Sequence, residues 1–591
     1  MELYHRIYRI TLGHPEKLTP LSVRRIHHKE DQLNQFSQKK LHFDEHEIKT
    51  KVHKTGFSIQ IPMREAENIY GFGLQLKQFN HKRKKVTVRN NADPKSTSGD
   101  THAPIPFYLS SDGYGVFVDT ARNASFYCGH MRDKGAHAHD YLERRENLVY
   151  TEQDFYRDGN DDDKRYMLIE IPVVQGADLY VIEGNNLMEV VQKYNLFSGG
   201  GPKVPDWGLG VWYRTYGGAS CNQILKTAQN FKDKEIPLDV LGIEPGWQTY
   251  SYSCSYIWDE GKRMQGYEEM LKQLQDMDVK VNLWEHAYVH PSAEFYQQIL
   301  PFSGDYEVWE GAVPDFATKE ARKIFADYHK KIIEQGVSGF KLDECDNSDF
   351  AGGWAFPMMA EFPSGLDGEQ MHNLLGVLYQ ETMQEALEGK ETYGAVRASH
   401  LFATSLPYVL YSDLYDHEDF IRGIVNSGFS GILWTPELRH ADSDKDLIRR
   451  LQTVVLSAQA LINGWYIENP PWESAENPEE MTRIVKRWLT LRKEFLPYLR
   501  EIFDRYETEG IPPFRALVLD FPEDRNTYDI DDEYMFGDKY LVAPLTAKSD
   551  TRKVYLPNGT WRCFFTGKEY EGGSYEMTYP IDQLPFFEKI K

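Results

Sequence analysis

Acidic and aromatic residues follow apolar runs at several points along the middle of this chain. Glu244-Pro245-Gly246-Trp247 follows one run, Glu285 and His286 follow another that ends in Trp284, and Asp343-Glu344-Cys345-Asp346 follows a third; Arg397 and the stretch Ser412-Asp413-Leu414-Tyr415-Asp416-His417 come later. Carboxylates facing aromatic platforms suit the cleavage of sugars. Apolar sugar faces pack on rings and hydroxyls bond to carboxylates. Of two acids, one attacks or stabilises an oxocarbenium-like carbon while the other protonates the leaving oxygen. Each position also has a plainer reading: an acid after a strand can cap the following helix, and the acidic run from Asp413 to Asp419 can be a solvated helix N-terminus favoured by the helix dipole. Asp413, Asp416, His417 and Asp419 could also supply metal ligands, but no His-x-His or His-Glu-x-x-His pair sits on an early strand, so no metal and no cofactor are expected. The cluster His130, His137, His139 and Asp140 reads as surface histidines.

Something must bring these groups together, and the order of elements suggests what. To about residue 195 the chain reads as short strands, among them the alternating Phe57 to Pro62 and a hairpin around Asp112-Gly113. After Gly199-Gly200-Gly201, a linker with no Lys-Ser/Thr to make it a phosphate loop, apolar runs alternate with helical segments. The runs are 209–212, 238–243, 279–284 and 339–342; a helix is expected near Lys319 to Gln335, with Gly336 as its stop. Such alternation over about 300 residues, with no glycine-rich dinucleotide fingerprint, predicts an α/β fold built on a (β/α)8 TIM barrel, whose reactive groups stand at the C-terminal strand ends. Beyond about 510 strands return, with Asn558-Gly559 as a hairpin signal. The expected division is an N-terminal β-sandwich over 1–198, the barrel over 199–510 and a small C-terminal β-sandwich over 511–591.

The chain has 591 residues and a formal net charge of −23, which repels phosphate backbones and anionic membranes. The one basic patch, His81 to Lys85 with Arg89, reads as a solvated strand edge. No stretch is apolar enough for a signal peptide or a membrane span, and the five cysteines are scattered. A cytoplasmic protein is expected, with no nucleic-acid or membrane partner; a homo-oligomer stays open.

Taken in order, the motifs make the chain resemble glycoside hydrolase family 31 from about Tyr70 to Gly573. The resemblance is carried by Tyr70-Gly71-Phe72-Gly73, Ile105 to Ser111, Pro314-Asp315-Phe316 with Ala321-Arg322, and Gly339-Phe340-Lys341-Leu342-Asp343. The most specific stretch runs from Phe536-Gly537-Asp538 through Leu541 to Pro544 and Val554 to Trp561. The resemblance implies a retaining, exo-acting α-glycoside hydrolase taking a small oligosaccharide or glycoside. Asp343 then matches the nucleophile, Arg397 a sugar-contacting arginine and Asp413 the general acid/base. The segment after Asp413 is about one helical turn shorter than in the family, which leaves Asp416 as the alternative acid. Asn91-Ala92-Asp93 resembles a loop sent into the barrel mouth, placing Asp93 near the substrate.

Lys341 and Arg397 are expected to keep Asp343 ionised, and Glu244, Trp247, Trp284, Glu285, Trp309 and Trp434 to line the sugar site. Glu244-Pro245-Gly246 stands where the family has Asp-x-Asp, and Trp434-Thr435-Pro436-Glu437 where it has Trp-Gly-His-Asp. These departures leave an α-galactosidase or another non-glucose specificity open beside an α-glucosidase one. A transglycosylase or lyase on the same scaffold, and a catalytically silent sugar-binding protein, are the rival readings.

Overall fold

The computed structural model describes residues 2–92, 96–132, 165–348, 353–413, 416–465 and 469–591. The N-terminal strands form antiparallel sheets of six and five strands. Alternate residues of their inner faces, including Phe57, Ile59, Val116 and Phe126, make a closed core. The expected hairpin is present: Pro104–Ser110 pairs with Tyr114–Val118, and Gly113, with φ +88°, supplies the left-handed turn residue.

The barrel follows. Its strands Val211–Arg214, Val240–Ile243, Lys280–His286, Val337–Asp343, Gly394–Val396 and Tyr408–Leu410 pair in parallel and in chain order, and Ala460–Asn463 pairs back onto the first. The gap between the sixth strand and the last is closed by residues 433–438. Thr435 N donates to Leu410 O (3.0 Å) on one side, and Leu438 N to Leu461 O (3.0 Å) on the other. Pro436 lies between them and has no N–H to give, so single bridges replace a ladder. The closed ring has eight positions.

The helix expected at 319–335 is Lys319–Glu334. Thr318 caps it by accepting from Ala321 N, Phe325 and Ile332 face the core, and Gly336 turns away with φ +111°. The first barrel strand begins later than its apolar run suggests, because Asp206–Leu209 is a helical turn.

At the C-terminus the strands pair as one six-stranded antiparallel sheet. Here the Asn558-Gly559 expectation is corrected. The chain does not reverse there; Thr551–Cys563 is one strand, and the register jumps from Leu556↔Gly573 to Thr560↔Glu571. The extra residues form a bulge, and Gly559 absorbs it with φ +137°.

Candidate active site

Strand geometry decides which side chains reach the barrel mouth. Successive side chains point to opposite faces, so on Val337–Asp343 both Lys341 and Asp343 turn inward, as does Trp284 on Lys280–His286. They line a cavity of about 520 Å³, within the usual range for small-molecule sites. Trp284 Nε1 donates to Asp343 Oδ2 (2.6 Å) and Glu344 N donates to Oδ1 (2.9 Å). Lys341 Nζ and Arg397 Nη1 each stand 3.9 Å from the same carboxylate. Burial by itself would push the Asp343 carboxyl up; Lys341 and Arg397 override it and hold the group well below the usual carboxylate range. Asp343 is therefore a permanent anion at the floor of a cavity.

Asp413 enters from the end of the sixth strand. Its Oδ2 lies 2.7 Å from Arg397 Nη1 as an ion pair, and Oδ1 pairs with Arg439. One guanidinium nitrogen thus touches both acids, which caps the separation of these oxygens at about 6.6 Å, compatible with the ~5–5.5 Å of a retaining pair. Arg397 is itself fixed by Asp346, whose Oδ2 accepts from Arg397 Nε (2.7 Å) and meets His102 Nδ1 (3.1 Å). His102 belongs to the N-terminal domain, and its other nitrogen lies 2.8 Å from Ser412 Oγ. The sandwich therefore positions the charged cluster as well as covering it. Its loop also reaches the cavity: Ala92 lines it and donates from its backbone N to Asn347 O (2.8 Å). Asp93 lies outside the described residues, as do residues 137–140 of the histidine cluster.

Of the other expected residues, Glu244 faces the cavity, ion-paired with Arg214 and 3.7 Å from Lys341 Nζ. Six others do not line it. Glu285 follows Trp284 by one residue and so points outward, where Tyr379 Oη donates to it (2.6 Å) and His329 Nε2 lies 3.1 Å away. Trp247 is buried behind the wall, donating to Trp284 O (2.6 Å). Trp434 packs away from the cavity, bonded to Phe420 O (3.0 Å) of the helix His417–Ser427. Trp309 stands behind the rings of Tyr252 and Trp354. Glu437 is buried below the floor beside Asn463, where burial pushes its carboxyl up. Asp416 is the N-cap of His417–Ser427, its Oδ1 accepting from Asp419 N (3.0 Å).

Nor does the acidic run converge as a metal site. Asp413 is held by arginines, His417 by Thr453, and Asp419 by Lys77 and Arg422; among the described residues no group of three or more His, Cys, Asp or Glu side chains could hold a metal ion.

Against known proteins, residues 15–126 match the glycosyl hydrolase 31 N-terminal galactose mutarotase-like domain, 201–543 the glycosyl hydrolases family 31 TIM-barrel domain, and 510–590 the family's C-terminal domain. The chain belongs to glycoside hydrolase family 31. Among characterised relatives, the alpha-xylosidase XylQ of Lactiplantibacillus pentosus is 27% identical over 546 residues, covering 87% of this chain and 65% of that protein. Alpha-glucosidase 2 of Bacillus thermoamyloliquefaciens is 24% identical, with 89% and 67% covered. The chain thus spans about two thirds of the length of these relatives. Among solved structures, the Flavobacterium johnsoniae GH31 dextranase FjDex31A complexed with glucose superposes with a TM-score of 0.78 at 20% identity, covering 91% of this chain and 67% of that one.

Several residues at this family 31 site were not picked out in the sequence. Arg439 falls two positions after Glu437, where a barrel strand end is expected to carry chemistry, but Pro436 hides the strand. Tyr252, Trp354 and His102 come from loops and from another domain, and no periodicity announces them. Glu344 and Asp346 belong to the acidic stretch that begins with Asp343, but the sequence gives them no role of their own.

Proposed function

We propose that the protein is a retaining, exo-acting α-glycoside hydrolase that releases a terminal α-linked sugar from a small oligosaccharide or glycoside. The observation that carries this reading is the pair of carboxylates from separate strand ends, Asp343 and Asp413, bridged by Arg397 at one cavity. Asp343, kept ionised by Lys341 and Arg397, attacks the anomeric carbon while Asp413 protonates the departing oxygen. Asp413 then takes a proton from water as that water displaces Asp343. Asp413 is the better acid/base than Asp416, because Asp416 is occupied as a helix cap. Arg439 and Arg397 hold Asp413 at the rim and must yield part of that grip when the acid carries its proton.

The sugar is of glucose or galactose type. Glu244, tied to Arg214 and Lys341, is the acid that meets its hydroxyls from the second strand end. Five free, buried thiols suit a reducing compartment, and the cytoplasm is our proposed location. The test is a panel of nitrophenyl α-glucoside, α-galactoside, α-xyloside, N-acetyl-α-galactosaminide and sulfoquinovoside, with the product anomer followed by NMR. Release of the α-anomer first supports the proposal; release of the β-anomer, or no turnover of any α-glycoside, overturns it. A product in which the sugar has moved to another sugar, as the name of the relative isomaltosyltransferase of Sporosarcina globispora describes, would make the protein a transferase using the same intermediate.

A further inference from the structure

Asp413 is half-exposed at the rim of the cavity, so its place depends on the groups that hold it. It meets the guanidiniums of Arg397 and Arg439 and, across the cavity, faces the carboxyls of Asp343, Glu344 and Glu244 and the ammonium of Lys341. Whatever fixes Arg397 therefore helps to fix the acid. Arg397 Nε donates to Asp346 Oδ2 (2.7 Å), and the same oxygen meets His102, which the bond-breaking chemistry leaves unused. Among the described residues, the buried His81, His286, His400 and His417 each leave at least one ring nitrogen without a hydrogen-bond partner. His102 spends both of its own on the barrel: Nδ1 lies 3.1 Å from Asp346 Oδ2, and Nε2 lies 2.8 Å from Ser412 Oγ. The first contact leads through Arg397 to Asp413, and the second ends on the residue before it. The chain of contacts closes on the acid from both directions.

The ring itself is held firmly. It is 0% exposed, His102 O accepts from Ser399 N of the barrel (3.1 Å), and Thr101 O just before it accepts from Asn91 N (3.1 Å). A carboxylate only accepts, so Nδ1 carries a proton. Nε2 accepts from the Ser412 hydroxyl when the ring is neutral and donates to it when the ring is charged, and the bridge holds in either state. Burying an imidazole among charged groups costs desolvation, and a network whose members are all satisfied repays it in fixed geometry. Loss of the bridge would fall unevenly on the two acids. Asp343 keeps Trp284 Nε1, Glu344 N and Lys341 whatever happens to Arg397. Asp413 loses both a fixed guanidinium and the anchor on its neighbour Ser412.

We propose that His102 is a positioning residue for the general acid/base: from the sandwich it sets Arg397 through Asp346 and Asp413 through Ser412, so that the N-terminal domain takes part in the proton-transfer step. The proposal rests on the glycosidase reading. His102→Phe fills the same space without either contact, and His102→Asn places an amide nitrogen where Nδ1 stands and gives up the contact to Ser412. His53→Ala, at an exposed histidine of the same sandwich, is the control. Each is assayed with the phenyl α-glycoside and the α-glycosyl fluoride of the sugar preferred in the panel, and thermal melting confirms that it is folded. For His102→Phe, kcat/KM on the phenyl glycoside, whose leaving group needs a proton, should fall about tenfold or more, while that on the fluoride stays within about twofold. The alkaline limb of the kcat/KM profile, which reports the acid in the free enzyme, should move to higher pH, because a carboxylate with a looser guanidinium beside it keeps its proton longer. His102→Asn should show both changes to a smaller degree, and it carries the test by itself if the phenylalanine variant does not fold. His53→Ala should match the wild type. A fall shared equally by the two substrates with an unmoved limb is the mark of lost packing and overturns the proposal. A wild type that cleaves no α-glycoside overturns the glycosidase reading together with this one; a wild type that cleaves them while both His102 variants match it overturns this one alone.

Discussion

Asp343 and Glu344 are neighbours in the chain and share the field of one guanidinium, yet their carboxyls are shifted in opposite directions. Asp343 has Lys341 and Arg397 close by, and Asp346 has Arg397 and His102. Among the described residues Glu344 has no cation within ion-pair distance; burial and the two neighbouring carboxylates push it up to about 8, and Arg397 offsets only part of that rise. Folding therefore takes up a proton at Glu344 between the ordinary glutamate value and that higher one, and stability drains away as pH rises through that window. Glu344→Gln removes this loss. The Tm of the variant minus that of the wild type should rise between about pH 4.5 and about pH 8 and be flat above it; a difference constant across that range would show that Glu344 is ionised throughout. The two candidate acids separate as cleanly. Asp413→Ala should slow cleavage of substrates with poor leaving groups by about 10²-fold or more and spare those with good ones. Asp416→Ala should instead cost about 1 kcal/mol of stability through the lost helix cap, with both substrate classes affected alike. The opposite pattern in rates would make Asp416 the acid. Much at this scale was legible in the sequence: Asp343, Lys341, Trp284 and Glu244 follow from reading the ends of apolar runs. Glu285 misled because adjacent strand residues face opposite ways, and Trp434 because tryptophan serves cores as readily as platforms.

Among the elements, the first four barrel strands were readable from their apolar runs and the helix Lys319–Glu334 from its period and glycine stop, whereas the short strands Gly394–Val396, Tyr408–Leu410 and Ala460–Asn463 were not. The segment 433–438 was not, since proline interrupts its pairing and only two bridges hold it. The Asn558-Gly559 pair was read for its local preference, but long-range pairing on both sides of it kept one strand continuous. That bulge has a measurable consequence. Gly559 has φ +137°, and a Cβ placed there would lie 2.5 Å from Lys591 O. Gly559→Ala should therefore destabilise the protein by about 1–3 kcal/mol, read as a lower midpoint in urea unfolding with unchanged activity per folded molecule. An unaltered midpoint would mean that the bulge relaxes freely.

Across the whole molecule, one continuous core joins Tyr70 and Phe107 of the sandwich, Trp212 and Leu283 of the barrel, and Phe536 and Trp561 of the C-terminal sheet, while the interior of the sandwich forms a second, separate core. The site is built across that joint. Asp346 and Arg397 from the barrel are braced by His102 from the sandwich, an arrangement no local pattern could announce, because the partners are 244 residues apart in the chain. The barrel could be foreseen from alternation alone; the cross-domain brace required the fold. The proposed hydrolysis requires Asp343 to form a covalent bond to the sugar. The direct measurement is to incubate the protein with a 5-fluoro-α-glycosyl fluoride of the sugar preferred in the panel, then digest it and map the labelled peptide by mass spectrometry. A stoichiometric adduct on Asp343 is expected. A label on Asp413 or Glu344, or steady turnover of the probe with no adduct at any residue, would contradict it.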